Sequence, residues 1–349
     1  MKKIGIMTIN DNNNYGNRLQ NYAVQEILRK LNVDPYTIEN YPQFNSKNHF
    51  FLNLFLNINF DRYYSKNRVR SDLFKDFNKK IQYYNGIYCP FKKYKDLEYI
   101  ICGSDQVWNP FLGKNDATLL KYFDAKKRIS FAASFGESTI PDESKFEFIK
   151  ELSKFKYISV REDDGARIIK ELVDKEATVL LDPTMMLSVS EWQKIEKRPI
   201  SVNDSQKYIL TYFLSEPSRG ATNLILKLSE DYKIIDLNNE DCGFSINIGP
   251  QEFLFLFDHS ELILTDSFHG CVFSILYDKP FVVYDRMSQF ENMNSRIITL
   301  LEKFGMMRKY AGADLKNDIW EHNYEKISII LDKEKIKTMS FLKKAMNLP

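Results

Sequence analysis

The chain has 349 residues, 44% hydrophobic and 28% charged, which is typical of a folded protein with more than one core. Its 49 basic and 47 acidic residues leave a net charge of +2, which excludes the strongly basic field of a general nucleic-acid binder. Four cysteines without a CxxC pair and four histidines without metal-ligand spacing predict neither a disulfide framework nor a metal site.

Strand-like and helix-like segments alternate along the first half of the chain. KIGIMTI begins the series, and the polar loop NDNNNYGN and the helical pattern LQNYAVQEILRKL follow it. Short apolar runs rich in β-branched residues lie at 99–102, 128–134, 157–160 and 178–181. This alternation predicts a parallel sheet covered by helices on both faces.

The apolar stretch at the N-terminus is too short for a signal peptide, and no segment approaches the length of a spanning helix. We therefore expect a cytoplasmic protein. FFLNLFLNINF at 50–60 precedes a basic stretch, and two interpretations stay open for it. It forms either a helix docked on the protein's own core or an amphipathic helix on the inner face of a membrane, with contact through residues 50–70.

A second series of strands begins near residue 207, and the polar stretch at 190–206 separates it from the first. We predict an N-terminal domain at 1–190, a C-terminal domain at 207–320, and one or two closing helices at 321–349. The predicted fold class is α/β, with two Rossmann-like domains whose parallel sheets face a cleft.

TDSFHGCVFSILYDKPF, at 265–281, predicts a strand, a tight turn, a helix and a second strand. Asp266 or Ser267 would cap the helix, and Gly270 would let its first turn approach a ligand closely. His269 would then lie at the end of a strand and the start of a helix, where α/β proteins bind anions.

Polar residues also follow other predicted strands. Asp105 follows YIIC, Arg161 follows YISV, Asp182 follows TVLL, and Arg286 follows FVVYD. Each has a structural alternative, because the aspartates could cap turns and Arg161 could pair with a neighbouring acid. The chain lacks GxGxxG, P-loop and GxSxG motifs, so the pattern favours acid–base chemistry on a small phosphorylated donor.

Several stretches together resemble the polysaccharide pyruvyl transferase family: NYGNRLQNYA, GSDQVWNP, SFGES, VREDDGARII, LLDPTMML and the His269 segment. The resemblance implies a two-domain fold like that of GT-B glycosyltransferases. It also implies transfer of pyruvate from phosphoenolpyruvate to two hydroxyls of one sugar, as a cyclic ketal, in bacterial surface polysaccharide biosynthesis. The first domain would hold the acceptor and the second the donor.

By this resemblance His269 matches the histidine of the family's HG motif, and Arg161 matches the arginine that would bind the donor. Many members have arginine where this chain has Ser267, and we expect Arg286 to compensate for that missing cation. We assign His269 as general acid and Asp105 as general base, with Ser267 and Gly270 at the donor.

Five residues on first-domain loops are predicted to contact the acceptor: Asn14, Tyr15, Asn17, Arg18 and Trp108. For Trp108 the alternative is a core anchor. No cofactor and no metal is expected; the partners would be phosphoenolpyruvate and a sugar, free or lipid-linked. Two rival functions stay open, a GT-B glycosyltransferase that uses a nucleotide sugar and a catalytically inactive glycan-binding member.

Overall fold

The computed structural model describes residues 1–11, 13–40, 68–85, 94–112, 116–203, 207–237, 248–286, 294–311, 319–321 and 324–349. The segment at 50–60 that the sequence predicts to be amphipathic lies outside these ranges. Within them, no helix has the length and apolar character needed to cross a membrane.

The chain divides into two compact units, the first formed by Met1–Pro183 and Thr338–Pro349 and the second by Thr184–Lys337. The division comes earlier than the predicted linker at 190–206. The reason is Trp192, which lies within that linker but is fully buried, with its ring 5.5 Å from that of Phe273. The start of the polar stretch is therefore part of the second unit.

The first unit contains a parallel four-stranded sheet. Its strands are β1 (Lys3–Met7), β2 (Asp34–Thr37), β3 (Tyr99–Cys102) and β4 (Arg128–Ser130), in the order β2-β1-β3-β4. A short parallel pair, β5 (Ser159–Val160) and β6 (Thr178–Val179), continues from β4 through isolated bridges. The helices are α1 (Tyr15–Lys30), α2 (Arg68–Asn78), α3 (Asp142–Leu152) and α4 (Asp163–Val173).

The second unit repeats the same strand order. Its strands are β7 (Tyr208–Tyr212), β8 (Lys233–Asp236), β9 (Leu262–Thr265) and β10 (Phe281–Val283), all parallel, in the order β8-β7-β9-β10. The helices are α5 (Val189–Gln193), α6 (Arg219–Leu228), α7 (Pro250–Asp258), α8 (Phe268–Leu276) and α9 (Ser295–Lys303). In both sheets the strand order reverses between the first and third strands, β1 and β3 or β7 and β9. Ligands bind at such a reversal in open α/β sheets.

These sheets confirm the predicted α/β class. The predicted closing segment forms one helix, α10 (Tyr324–Ala345), which begins in the second unit and ends in the first. The strand β2 was not predicted, because its sequence DPYT is short and contains Pro35. A proline is tolerated there because β2 lies at the edge of its sheet. That the two sheets face a common cleft stays a prediction.

Gly270 lets α8 lie close against β9. A Cβ atom on Gly270 would lie 2.3 Å from Thr265 Oγ1, inside any normal contact distance. That hydroxyl cannot easily move, because it donates to Tyr212 O at 2.7 Å and accepts from Ser267 N at 3.0 Å. The missing side chain of Gly270 therefore makes room for a buried strand, and the approach of a ligand to Gly270 stays a prediction.

We expect Gly270→Ala to lower the free energy of unfolding by about 1–3 kcal/mol, the usual cost of overpacking a core. The measurement is the shift in the midpoint of urea unfolding. Gly220→Ala on α6 is the matched control, since its Cβ would meet nothing closer than Ser218 Oγ at 3.9 Å. That control should be neutral or slightly stabilising, and equal effects of the two substitutions would contradict this explanation.

Candidate functional site

Asp105 lies just beyond the carboxyl end of β3, with its carboxylate held by several donors. Its φ of 75° lies in the left-handed region, which aspartate tolerates better than most residues. Oδ2 accepts from Asn17 Nδ2 at 3.1 Å, and Oδ1 accepts from the backbone N–H of Gln106 at 2.9 Å. Arg161 Nη2 lies 3.5 Å from Oδ1. The carboxylate is therefore fixed in position, and the residue is 8% exposed.

Arg161 follows β5 and lies between two carboxylates. Its Nη1 donates to Asp182 Oδ2 at 2.7 Å, and both side chains are almost completely buried. Burial alone would lower the pKa of this guanidinium, but the charges of Asp182 and Asp105 more than offset it and the pKa is raised. The alternative that Arg161 pairs with an acid that neighbours it in sequence is wrong, because its partners are the distant Asp182 and Asp105. The guanidinium is also buried, so the predicted direct contact between Arg161 and the donor is not supported.

Asp182, which follows β6, links this group to the end of β3. Its Oδ2 also accepts from Ser104 Oγ at 3.3 Å. Gln20 on α1 accepts from the backbone N–H of Ser104 at 3.1 Å and donates to Thr8 Oγ1 at 2.9 Å. Side chains thus connect the carboxyl ends of β1, β3, β5 and β6, and the geometry favours Arg161 and Asp182 as residues that position Asp105.

Four predicted acceptor residues near the start of α1 have structural roles. Asn14 is half-buried and caps the helix by accepting from the N–H of Asn17 at 3.0 Å. Arg18 is fully buried and donates to Ile9 O at 2.9 Å and Asn17 Oδ1 at 2.8 Å. The ring of Tyr15 is buried, 5.3 Å from that of Phe74. These side chains hold the start of α1 and its preceding loop in place, and Asn17 also holds Asp105. Their predicted contact with a sugar stays a prediction.

Trp108 is a core residue. Its indole has no exposed surface, and its ring lies 5.4 Å from that of Phe135 and 5.8 Å from that of Phe155. Its Nε1–H donates to Thr118 O at 3.2 Å. The predicted contact with the acceptor is corrected in favour of the alternative, a core anchor, because a buried ring cannot stack on a ligand.

In the second unit, His269 lies in the first turn of α8, directly after β9. Ser267 caps this helix, with its Oγ accepting from the N–H of Gly270 at 3.4 Å. The imidazole packs edge-on against Phe268, at 5.4 Å between ring centroids, and the residue is 8% exposed. The predicted strand–turn–helix is confirmed. The side chain of Ser267 is engaged as a cap, and its predicted donor contact stays a prediction.

Asp266 joins the ends of β7 and β9, where the strand order reverses. Its Oδ1 accepts from the N–H of Leu214 at 2.6 Å, and its Oδ2 accepts from the N–H and Oγ of Ser215 at 3.0 and 2.7 Å. The residue is 2% exposed. Asp266 therefore holds the loop after β7 against the start of α8, which fixes the surroundings of His269.

Arg296, near the start of α9, is a cation that the sequence analysis missed. It is 7% exposed, and its guanidinium carbon lies 5.7 Å from the centroid of the Phe268 ring. Burial raises the pKa of the Cys271 thiol, the charge of Asp266 adds to this shift, and the charge of Arg296 opposes it. Arg286, the predicted compensating cation, follows β10 and is half-buried, and its role stays a prediction.

Each unit thus carries reactive groups where its parallel strands end. The first holds a fixed carboxylate, Asp105. The second holds an imidazole, a guanidinium and the N–H groups at the start of α8, which together suit an anionic ligand. A carboxylate and an imidazole can serve as base and acid near neutral pH. Arg296 could not be found from sequence, because it lies 27 residues after His269 in no motif.

Comparisons with known proteins give one strong and several weak similarities. None of the curated proteins compared by sequence matches the chain. Among solved structures, UDP-GlcNAc 2-epimerase from Neisseria meningitidis bound to UDP-GlcNAc is 14% identical, with a TM-score of 0.47 over 100% of this chain and 95% of that one. MurG from Acinetobacter baumannii is 8% identical, with a TM-score of 0.38 over 99% and 94% of the two chains. Similarities at these levels carry no argument about substrate or chemistry.

The strong similarity is to a protein family. A sequence model of the polysaccharide pyruvyl transferases matches residues 14–288, which include the Asp105 and Arg161 group and the whole His269 segment. Because the matched residues make up most of the 349-residue chain, this protein belongs to the polysaccharide pyruvyl transferase family.

Proposed function

We propose that this protein transfers pyruvate from phosphoenolpyruvate to two hydroxyls of one sugar, forming a cyclic ketal in the biosynthesis of a bacterial surface polysaccharide. The observation that carries the proposal is the family match over residues 14–288. The acid, base and cation at the strand ends support it, because this chemistry needs all three.

In this reaction the pyruvyl group is transferred to the sugar and phosphate is released. One sugar hydroxyl adds to C2 of phosphoenolpyruvate while C3 takes up a proton. The bond between C2 and the phosphate oxygen then breaks, and the second hydroxyl closes the ketal. One of the two hydroxyl protons returns to the general acid and replaces the proton that C3 received. The other leaves with phosphate or stays on the general base. The chain's residues must therefore supply a proton, accept a proton and bind a polyanion.

His269 is assigned as the general acid and Asp105 as the general base. An imidazole near neutral pH can donate the proton that C3 receives. The carboxylate of Asp105 is kept in place by Asn17 and Arg161, so it can accept a hydroxyl proton without reorganising. The role of Arg161 in this assignment is to orient Asp105.

The donor's phosphate and carboxylate would be bound at the start of α8. The N–H groups of the first helical turn point away from the helix and attract anions. Arg296 lies beside that turn against Phe268 and would add a charged, directional donor. Arg296 would thus take the part of the cationic side chain that the resemblance leads us to expect at position 267.

We expect His269→Ala to lower the turnover number by about 10²–10⁴, because one positioned acid is typically worth that factor. The assay supplies phosphoenolpyruvate and a panel of free and lipid-linked oligosaccharides. It measures phosphate release together with a product heavier than the acceptor by pyruvic acid less water. Lys279→Ala, in the turn after α8, is the control. Turnover of the His269 variant at the control level would remove His269 from the mechanism.

Arg296→Ala should weaken phosphoenolpyruvate binding by about 10–100-fold, which corresponds to the loss of one charged hydrogen bond. Arg296→Lys keeps the charge and should lose less. Arg219→Ala, a substitution of an exposed arginine at the start of α6, is the matched control. Calorimetric titration of each variant gives the dissociation constants. Equal affinities for the Arg296 and Arg219 variants would assign the donor's anions to other groups.

A further inference from the structure

A second cluster of ionisable side chains lies at the opposite, amino-terminal edge of the second sheet. Glu196 lies in the segment before β7, while Asp258 and His259 end α7 just before β9. Each offers one atom that can bind a metal, and these three atoms all lie within 4.8 Å of one another. The cluster is separate from His269, which lies at the carboxyl end of the same sheet.

His259 is oriented as metal-binding histidines usually are. Its Nδ1 lies 3.0 Å from Phe255 O, and its ring stacks on the Phe255 ring with 3.9 Å between centroids. The tautomer that donates from Nδ1 to this carbonyl carries its lone pair on Nε2. Such a bond from the second ring nitrogen commonly fixes the ring of a histidine that binds a metal.

The two carboxylates are also held in place. Asp258 Oδ2 accepts from Gln193 Nε2 at 2.8 Å, at the end of α5. The backbone around Glu196 is tied to α7 through Gln251, which donates from Nε2 to Ile195 O at 2.6 Å and accepts from the N–H of Lys197 at 3.1 Å. These bonds hold the backbone on both sides of Glu196 against the first turn of α7.

One buried oxygen of this cluster lacks a partner. In the described part of the chain, Glu196 Oε2 has no hydrogen-bond partner, although the atom is inaccessible to solvent. A buried oxygen without a partner is costly, and a bound ion would satisfy it.

We propose that Glu196, Asp258 and His259 bind one divalent metal ion of the zinc class. Two carboxylates and one neutral imidazole match a double positive charge, and this mixed oxygen and nitrogen set suits zinc better than magnesium or calcium. Ligand atoms around zinc lie roughly 3.4 Å apart, given bond lengths of about 2.1 Å. Small changes in the side-chain torsion angles of the two carboxylates would bring the three atoms to that spacing. The fourth position is left for water.

The ion would cross-link two parts of the second unit. It would join the segment that leads from α5 into β7 to the end of α7, at the edge of the sheet away from the proposed chemistry. Since metal binding to the folded state alone stabilises that state, the site should raise stability and leave the reaction's residues untouched. This inference is independent of the proposed function.

The test is calorimetric titration of chelator-treated full-length protein with zinc chloride, paired with thermal unfolding. We expect one ion per chain and an unfolding midpoint that rises with zinc concentration. Glu196→Gln and His259→Gln should each weaken binding by more than the roughly 10–100-fold typical of losing a residue that only supports a metal ligand. Both should also abolish the rise in the midpoint. Neither substitution removes buried volume, so folding should survive.

Glu230→Gln, which removes an exposed carboxylate elsewhere in the second unit, is the matched control and should bind zinc as the unaltered protein does. Absence of zinc binding in the unaltered protein would overturn the proposal. Equal binding by the control and both ligand variants would also overturn it, since it would assign the affinity to scattered surface groups.

Discussion

The pairing of Arg161 with Asp182 and Asp105 is the interaction on which the first unit's candidate site depends. A guanidinium taken out of water costs several kcal/mol unless carboxylates compensate it, and here two of them do so at 2.7 and 3.5 Å. The three residues follow three different strands, so their pairing fixes the relative positions of the strand ends. Asp105 gains a fixed orientation. Loss of either partner would leave a buried charge uncompensated.

Both units share one arrangement. In each, buried strands end at polar residues, and side-chain hydrogen bonds connect the strand ends at the point where the strand order reverses. In the first unit Gln20 connects the ends of β1 and β3, and in the second Asp266 connects the ends of β7 and β9. The apolar strands form a rigid scaffold, and the short loops that follow them carry the reactive residues. The proposed metal site uses the other edge of the second sheet, where no such chemistry is expected.

Much of this arrangement could be predicted from sequence. Continuous apolar runs marked most strands, and TDSFHG marked the start of α8, because local patterning decides those elements. The local sequence pattern could not predict which residues of the motif stretches are buried, or which distant residues they contact. Trp108 and Arg161 sit in the motif stretches but are buried, Gly270 faces Thr265, and Arg296 joins the His269 group from a distant helix. Each of these depends on contacts between residues far apart in the chain.

The most direct test of the central claim is calorimetric titration of the purified protein with phosphoenolpyruvate beside a panel of UDP-, GDP- and CMP-sugars. We expect phosphoenolpyruvate to bind at one site per chain, without competition from the nucleotide sugars. Binding of a nucleotide sugar in place of phosphoenolpyruvate would contradict the proposed function, and would assign the strand-end groups to a glycosyltransferase donor.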